Sequence, residues 1–550
     1  MTRMAQAAAH PGRGFNPLKF HGKESGGGRR RLAALSIFRQ EASVPVHAAG
    51  IGGRILKGRV TAMMNGDEYL KSLRNMKKTV YVGGRKVDDF WDHPLLRPAF
   101  NCLRTTYDLE SDPNLDPGLH RLLVAQSALT GGRVSRFLQI VRTKEDLVAR
   151  IEMQRALMRY TGGCFGGRCI AGAVINPLWS VTEEVDRATG GKTVYHERFK
   201  AFMKKVHEGN LAVMGNITDA KGDRSLPPHL QEDPDLFVRI VERRKDGIVV
   251  NGAKLQQSGA PFAQELLAVP TTALGPEDGD YAVAFAVPAD APGVSFVNDS
   301  ACCNAKLLAM EPGDIGNAAF GMHQSAHVIF DHVFIPTERV FLCGEWNATR
   351  LLVHRFSDYQ RLSSSACRSG YIDLCIGAAE AMADYNGVGK VGHIREKLID
   401  MSIDSETIFG LAAGAAAMPD ATTSGVLCPN TFFVNAAKLF MNGALVRCAQ
   451  KLAEIGGGIL VTRPSGADLE IPGVGDLLRK YHKGRNGVPV EDRLRMARLA
   501  ESLSGLASIT PILSVIAAGP PATQRLNFRL LTDFGRNRKA AERLAGIGKK

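Results

Sequence analysis

A run of charged and polar side chains lies near the middle of the chain, in Asn216-Ile-Thr-Asp-Ala-Lys-Gly-Asp-Arg224. A second polar run, Lys254-Leu-Gln-Gln-Ser258-Gly259, follows an apolar segment. Donors and charges crowded around one flexible glycine suit a flat, polar and anionic cofactor. A solvated hairpin is the other interpretation, because charged loops and Asp-Gly turns are common. Spacing alone leaves both interpretations open.

The residues between these two runs predict a small sheet that positions them. Leu236, Val238 and Ile240 alternate with Phe237 and Arg239, which is typical of a strand. The pair Asp246-Gly247 predicts a hairpin turn into a second strand over residues 248–250. Both polar runs then lie at the edge of one sheet.

The wider pattern predicts an α+β fold in three parts. Helical periodicity over 69–76, 119–128, 144–159 and 199–208 indicates a helical N-terminal domain, residues 63–208. Short alternating segments at 267–271, 281–287, 294–297 and 327–334 indicate a small antiparallel β-barrel or sandwich, residues 209–344. Longer helices over 351–385, 394–418, 431–454 and 490–517 favour a C-terminal four-helix bundle within residues 345–550. No glycine cluster follows a strand and opens a helix as a dinucleotide fingerprint requires.

Composition and charge exclude several classes of protein. The chain of 550 residues is 45% hydrophobic and 23% charged, which is typical of a soluble protein of two or three domains. Its net charge is +14, but residues 1–60 hold eleven Lys or Arg against Glu24 and Glu41, so about +9 lies there. We therefore expect no nucleic-acid partner, and no apolar run is long enough to span a bilayer.

The first 62 residues have few aromatics and no periodicity, which predicts a disordered or mis-started extension. An organellar transit peptide is the alternative, because the segment is rich in arginine and poor in acids. The ten cysteines of the chain need not form disulfides, and several lie in apolar, helix-like surroundings where a reduced thiol packs as a small hydrophobe. The expected location is the cytoplasm.

The two polar runs and three further segments, in the same order, resemble the 4-hydroxyphenylacetate 3-hydroxylase family, whose other branch is 4-hydroxybutyryl-CoA dehydratase. The further segments are Tyr69-Leu-Lys-Ser-Leu with Asp92-His93-Pro94, Phe330-Asp-His-Val-Phe-Ile-Pro336, and Gly456-Gly-Gly-Ile-Leu-Val-Thr-Arg-Pro-Ser465. The resemblance covers residues 64–550. It implies an acyl-CoA dehydrogenase-like arrangement, usually a homotetramer with the flavin near a subunit boundary.

The resemblance also implies FAD as the cofactor. Arg224 would neutralise its phosphate, and Ser258 would bond the edge of the isoalloxazine ring in place of the family's threonine. The full set of implied flavin contacts is Thr218, Asp219, Lys221, Gly222, Asp223, Arg224, Lys254, Gln256, Ser258, Gly259, Gly458, Thr462, Pro464 and Ser465.

The dehydratase branch binds a [4Fe-4S] cluster through three cysteines and a histidine. Its cysteines match Cys164, Cys169 and Cys367, but its histidine position is Gln360. Seven residues separate Gln360 from Cys367, so on a helix they share a face, whereas His354 lies well round the helix. Two interpretations stay open, a labile cluster and three buried thiols that bind no metal. The branch's tyrosine, lysine and glutamate fall on Ser364, Arg368 and Leu513, so its base is missing.

The hydroxylase branch matches other positions. The run Arg479-Lys-Tyr-His-Lys-Gly-Arg-Asn-Gly487 resembles a stretch before its last long helix, and Gly167-Arg168 matches its substrate-site pair. However, its substrate tyrosine falls on Gly172, and the histidine of its flavin loop falls on Gly215. Two groups that would orient and deprotonate a phenol are therefore missing.

We expect an FAD-dependent oxidoreductase, a reduced-flavin monooxygenase on a small aromatic substrate, served by a separate flavin reductase. Its catalytic candidates are Gln360 and Arg168, the latter as an anchor for a carboxylate or phenolate. The alternative is a dehydratase or Δ-isomerase that acts on a short acyl-CoA with FAD and a cluster. A third hypothesis is a flavin-fold protein without catalysis.

Overall fold

The computed structural model describes residues 63–165, 167–299, 314–321, 323–504 and 519–547. The predicted extension over 1–62 and the position of Leu513 lie outside these residues. No helix in the described ranges is long and apolar enough to cross a membrane.

Six helices dominate the N-terminal region, and local capping explains where two of them begin. Asn65 caps the first helix in a reciprocal box with Glu68, and Thr143 does the same for the fourth with Asp146. Gly162, at φ +64°, ends the fourth helix in the left-handed conformation that glycine favours. The helices are α1 Gly66–Arg74, α2 Arg97–Ser111, α3 Pro117–Leu123, α4 Lys144–Thr161, α5 Arg168–Ala188 and α6 Tyr195–Gly209.

The predicted helices over 69–76, 144–159 and 199–208 are confirmed; the first and the last begin earlier than predicted, and the second begins at Lys144 as predicted. The helix predicted over 119–128 is wrong in its second half. Helix α3 stops at Leu123, because residues Val124–Gln126 instead form a strand paired with Arg133–Ser135.

The strands are β1 Thr79–Val82, β2 Arg85–Lys86, β3 Val124–Gln126, β4 Arg133–Ser135, β5 Val213–Asn216, β6 Arg239–Arg243, β7 Gly247–Ser258, β8 Glu265–Ala268, β9 Val283–Pro288, β10 Val294–Asn298, β11 Ser325–Pro336 and β12 Val340–Cys343. The strands of the central region form two sheets, and the larger one also takes in β1 and β2 from the N-terminal region. The larger has the order β2-β1-β10-β11-β7-β6 and the smaller the order β12-β9-β8-β5. Each contains one parallel pair, β1 with β10 and β5 with β8, which the alternating pattern did not predict. Closure into a barrel stays a prediction.

The hairpin around Asp246-Gly247 is confirmed, because β6 and β7 pair antiparallel across it. The first strand of this hairpin begins at Arg239 and not at Leu236. Residues Pro234–Leu236 form a 3₁₀ turn whose first free amide is capped by Asp233, and proline cannot donate to a ladder.

Long helices fill the C-terminal region, as predicted. Tyr371, Met401 and Leu445 from three of them share one buried core with Leu157 of α4. A helix of the N-terminal region is therefore part of the same packed group, and the isolated four-helix bundle stays a prediction. The helices are α7 Trp346–Tyr385, α8 Gly392–Ala417, α9 Thr431–Gly456, α10 Ile459–Thr462, α11 Val474–Tyr481, α12 Val490–Ser504, α13 Pro521–Leu531 and α14 Phe534–Leu544, with a small hairpin of β13 Asp420–Ala421 and β14 Leu427–Cys428.

Candidate functional site

A buried ion pair fixes the first polar run against the second. Lys254 Nζ lies 2.6 Å from Asp219 Oδ1, and both side chains are almost fully buried. Lys254 Nζ also donates to the carbonyls of Ile217, at 3.0 Å, and Val269, at 2.8 Å. Burial lowers the pKa of Lys254 and raises that of Asp219. Because the ammonium has three acceptors within the protein, both residues shape the loop, and direct flavin contact by their side chains is disfavoured.

Gln231, which the sequence analysis missed, holds the rest of this loop. Its amide nitrogen donates to the carbonyls of Asp223 and Leu226, and its oxygen accepts from the Asp223 amide at 2.9 Å. Gly222 has φ +50°, and a Cβ there would lie 2.2 Å from Gln231 Oε1. The loop therefore requires glycine at this position. No local pattern marks Gln231, because its partners are turn backbone atoms.

Two cations of the loop remain exposed. Lys221 and Arg224 lie on the surface, and partial burial followed by the charge of Arg224 lowers the pKa of Lys221. Asp223 instead accepts hydrogen bonds from the hydroxyl and amide of Ser225, which lower its pKa. The loop therefore presents two neighbouring positive charges, which suits a phosphate group.

The second polar run ends in an irregular piece of strand. Gln256 is exposed and has φ +59°, and it lies in a β-bulge of β7 opposite β11. Bulges and left-handed residues that are not glycine are frequent next to functional sites. Gly259, at φ +70°, donates its amide to Gln324 Oε1 at 3.0 Å. The hydroxyl of Ser258 lies 3.3 Å from Nε2 of His323, a residue that the sequence analysis also missed.

The cysteine loop packs directly on this strand end. Gly167 has φ +85°, and a Cβ there would lie 2.1 Å from the Ser258 carbonyl oxygen. Gly167 is also the N-cap of α5, which begins at Arg168. The structure thus brings the Cys164–Cys169 segment and the predicted flavin strand into contact.

The three predicted cluster cysteines are also brought together. Burial raises the pKa of Cys169, and the thiols of Cys164 and Cys367 raise it further. Burial likewise raises the pKa of Cys367 to about 11. However, the fourth position is Gln360, whose buried Oε1 has no hydrogen-bond partner in the described part of the chain.

In the described ranges, no three His, Cys, Asp or Glu side chains are arranged to hold a metal ion. A [4Fe-4S] cluster normally takes four thiolates, with histidine as an occasional substitute. Three cysteines and an amide do not supply this ligand set, so the donor set argues against a cluster.

Arg168 is already paired inside the protein. Its side chain is 1% exposed, and Nη1 lies 3.1 Å from Glu110 Oε1 and 2.6 Å from Thr106 Oγ1. Its guanidinium also stacks on the Tyr107 ring at 4.2 Å. This enclosure argues against the prediction that Arg168 anchors a substrate carboxylate or phenolate. Glu110 was missed, although Thr106 and Glu110 stand four residues apart on one helical face.

The positions of the two missing hydroxylase groups are closely packed. A Cβ on Gly172 would lie 2.2 Å from Arg150 Nη1 and 2.6 Å from the Phe137 carbonyl oxygen. A Cβ on Gly215 would lie 2.8 Å from Val174 Cγ2. Neither position has room for a tyrosine or a histidine ring.

The positions of the dehydratase tyrosine and lysine carry different chemistry. Ser364 donates its hydroxyl to the Arg361 carbonyl at 3.1 Å, and Arg368 Nη1 lies 3.3 Å from Cys367 Sγ. Burial, followed by the charges of Arg368 and Arg361, lowers the pKa of the neighbouring Lys438 to about 7. Arg361, Arg368 and Lys438 therefore lie close enough for their charges to interact.

The last predicted flavin segment, residues 458–465, makes its hydrogen bonds within the C-terminal region. Gly458 and Thr462 are exposed, and Thr462 donates its hydroxyl to the Gly458 carbonyl. Ser465 caps a following 3₁₀ turn with Asp468, and the Pro464 carbonyl accepts from Arg498. Between described residues, no hydrogen bond links this segment with 216–224 or 254–259.

Comparison with known proteins gives consistent matches over almost the whole described chain. The family model described as 4-hydroxyphenylacetate 3-hydroxylase N terminal matches residues 65–342, and the C terminal model matches 349–546. The chain is 37% identical over 500 residues to a 4-hydroxybutyryl-CoA dehydratase/vinylacetyl-CoA-Delta-isomerase of Clostridium aminobutyricum, covering 88% of this chain and 100% of the relative. It is 25% identical over 455 residues to a 4-hydroxyphenylacetate 3-monooxygenase oxygenase component of a Geobacillus species, covering 80% and 87%.

Two solved structures are similar in fold. An oxygen-tolerant archaeal 4-hydroxybutyryl-CoA dehydratase from N. maritimus has a TM-score of 0.84 and 38% identity, covering 89% of this chain and 96% of that one. The oxygenase component of 4-hydroxyphenylacetate 3-monooxygenase complexed with FAD has a TM-score of 0.77 and 24% identity, covering 87% and 98%.

Proposed function

The chain belongs to the 4-hydroxyphenylacetate 3-hydroxylase family, and we propose that within it the protein is an FAD-dependent enzyme acting on a short acyl-CoA thioester. The packing at Gly172 carries this choice over a phenol hydroxylase, because Arg150 and the Phe137 carbonyl leave no space for a ring that would orient a phenol. The burial of Arg168 against Glu110 supports it, since this guanidinium is already paired with a carboxylate. The higher identity to dehydratases agrees.

The exposed cations Lys221 and Arg224 would bind the FAD phosphates, and Ser258 would contact the edge of the ring. When bound, the flavin supplies redox chemistry at that edge. Since no hydrogen bond between described residues links 458–465 to these loops, we propose that this segment completes the flavin site of a second subunit in a homotetramer. We expect Arg224→Ala to weaken FAD binding, measured by quenching of flavin fluorescence. The matched control Arg244→Ala removes an exposed cation paired with Glu242 and should bind FAD as the wild type does.

The reaction class follows from what the site contains. Moving the double bond of a β,γ-unsaturated acyl thioester requires removal of a proton beside the carbonyl and its return two carbons away. This step needs one acid–base group and no metal cluster. We therefore propose Δ-isomerisation as the activity, and we route no step through a [4Fe-4S] cluster.

A reduced-flavin monooxygenase with a separate reductase is the second candidate. The incomplete cluster ligand set, with Gln360 at the histidine position, favours it, as does the run 479–487. Both candidates are tested on protein purified without oxygen, with an absorption spectrum and assays for iron and sulfide.

Vinylacetyl-CoA is then supplied under argon, and 4-hydroxyphenylacetate is supplied separately with reduced FAD and oxygen. Formation of crotonyl-CoA in the first assay supports the proposal. Hydroxylation in the second assay with no reaction in the first would overturn it, and about four irons per chain would restore the cluster.

A further inference from the structure

The polar side chains of Ser258, His323 and Ser325 meet where β7 ends and β11 begins. Ser325 is the ladder partner of Ser258, so their side chains project from the same face of the sheet. His323 lies two residues before Ser325, and in an extended chain residues two apart share a face. The distance of 3.3 Å between His323 Nε2 and Ser258 Oγ agrees with this arrangement.

Two atoms of this group are buried and have no partner. His323 is 9% exposed and Ser325 is 5% exposed, yet His323 Nδ1 and Ser325 Oγ make no hydrogen bond with any residue that the structure describes. Leaving a buried polar atom unpaired costs about 1–3 kcal/mol, so such atoms often face a ligand. The two atoms lie beside the hydroxyl that the flavin ring would contact.

The backbone around them is held firmly from the opposite side. Gln324, between the two residues, accepts the Gly259 amide at 3.0 Å and donates to Asn298 Oδ1 at 2.9 Å. The two hydrogen bonds of Gln324 therefore fix the backbone from which the side chains of His323 and Ser325 project. A fixed orientation is what a proton-transferring group requires.

We propose that His323 is the acid–base residue of this site, which rests on the proposed isomerase function. With the ring proton on Nε2 donated to Ser258 Oγ, Nδ1 carries a free lone pair. Nδ1 takes the proton from the carbon beside the thioester carbonyl, and the electron pair of that C–H bond moves onto the carbonyl oxygen as an enolate. The Ser325 hydroxyl donates to this oxygen.

The second half of the reaction reverses the proton transfer at a different carbon. The imidazolium returns the same proton from Nδ1 to the terminal carbon, and the enolate electrons form the conjugated double bond. Substrate and product have the same atoms and electrons, so the step needs no oxidant or reductant. The residue thus supplies the base that Leu513 cannot be.

The test uses His323→Gln in the full-length FAD-loaded enzyme. The glutamine amide nitrogen occupies roughly the position of Nε2 and keeps the bond to Ser258, whereas the base at Nδ1 is removed. We expect turnover of vinylacetyl-CoA to fall by about 10²- to 10⁴-fold. The control is His332→Gln, further along the chain within β11, which removes an exposed imidazole and should leave turnover unchanged.

A binding measurement separates this role from a structural one. Acetoacetyl-CoA absorbs differently as its enolate, so wild type should show the enolate signal, and His323→Gln should bind the thioester without it. If His323→Gln keeps its turnover or its enolate signal within threefold of the wild type, the role of His323 is overturned and the proposed function still stands. A wild type that neither isomerises vinylacetyl-CoA nor binds acetoacetyl-CoA would overturn the proposed function, and the role of His323 with it.

If His323→Gln does not fold, a labelling experiment on the wild type still tests the proposed proton transfer. A buried imidazole that carries one proton between two carbons should transfer part of a deuterium label from C2 to C4 of vinylacetyl-CoA in H₂O. Partial transfer supports the shuttle, and complete loss of the label to solvent would overturn it.

Discussion

Replacing Gly172 with alanine tests whether the hydroxylase position is truly filled. In an open helix, alanine in place of glycine stabilises by about 1 kcal/mol. At Gly172 the new methyl group would lie 2.2 Å from Arg150 Nη1 and 2.6 Å from the Phe137 carbonyl oxygen. The guanidinium can shift, but the carbonyl is backbone. Overpacking of this kind costs about 1–3 kcal/mol, so we expect a net loss of up to about 2 kcal/mol.

A matched control exists in helix α7. Gly377 is exposed, and a Cβ there would meet nothing within 4 Å. Gly377→Ala should therefore show the helical gain of about 1 kcal/mol without a penalty, which separates the two variants by roughly 1–3 kcal/mol. Thermal unfolding followed by circular dichroism at one fixed heating rate compares them. A Gly172→Ala protein as stable as Gly377→Ala would refute the packing argument and reopen the site to a phenol.

Three other predictions follow from the site and its surroundings. Asp219→Asn leaves the buried Lys254 without its carboxylate partner and should destabilise the protein by about 3–5 kcal/mol in denaturant unfolding. The double variant Asp219→Asn with Lys254→Met should recover much of this loss. Equal stabilities of the single and double variants would contradict the prediction. Burial lowers the pKa of His207 from 6.5 to about 4. The free energy of unfolding should therefore fall by up to about 3 kcal/mol relative to His207→Gln as the pH falls from 6.5 to 4. A difference between the two proteins that does not change with pH would argue against this. Gly167→Ala should release FAD on dilution because its methyl group meets the Ser258 carbonyl oxygen; unchanged FAD retention would show that this contact yields.

Much of the fold could be predicted because its signals are local. The start of α4 depends on Thr143 and Asp146, three residues apart, and the β6–β7 hairpin depends on two adjacent residues. The strand start was misplaced because the turn at Pro234 outweighed the alternation that follows it.

The candidate site was harder, because its decisive contacts join distant segments. Glu110 and Arg168 are 58 residues apart, and Ser258 and His323 are 65 apart. Neither partner carries a local motif, so only the folded chain shows that Arg168 is enclosed or that His323 faces the strand end. The resemblance located the loops, but which side chains remain available depends on packing.

The parallel pairing of β1 with β10 has a consequence for synthesis on the ribosome. Thr79 pairs with Ser295, so 216 residues must be added before β1, which also pairs with β2, finds its second neighbour. At about 5–20 residues per second, this wait is roughly 10–40 s. Throughout it, the strand edge and the apolar face beneath Val80 and Val82 are open to other nascent chains. Slower elongation lengthens this window, so the yield of native protein should depend on translation rate and on chaperones that shield exposed strands.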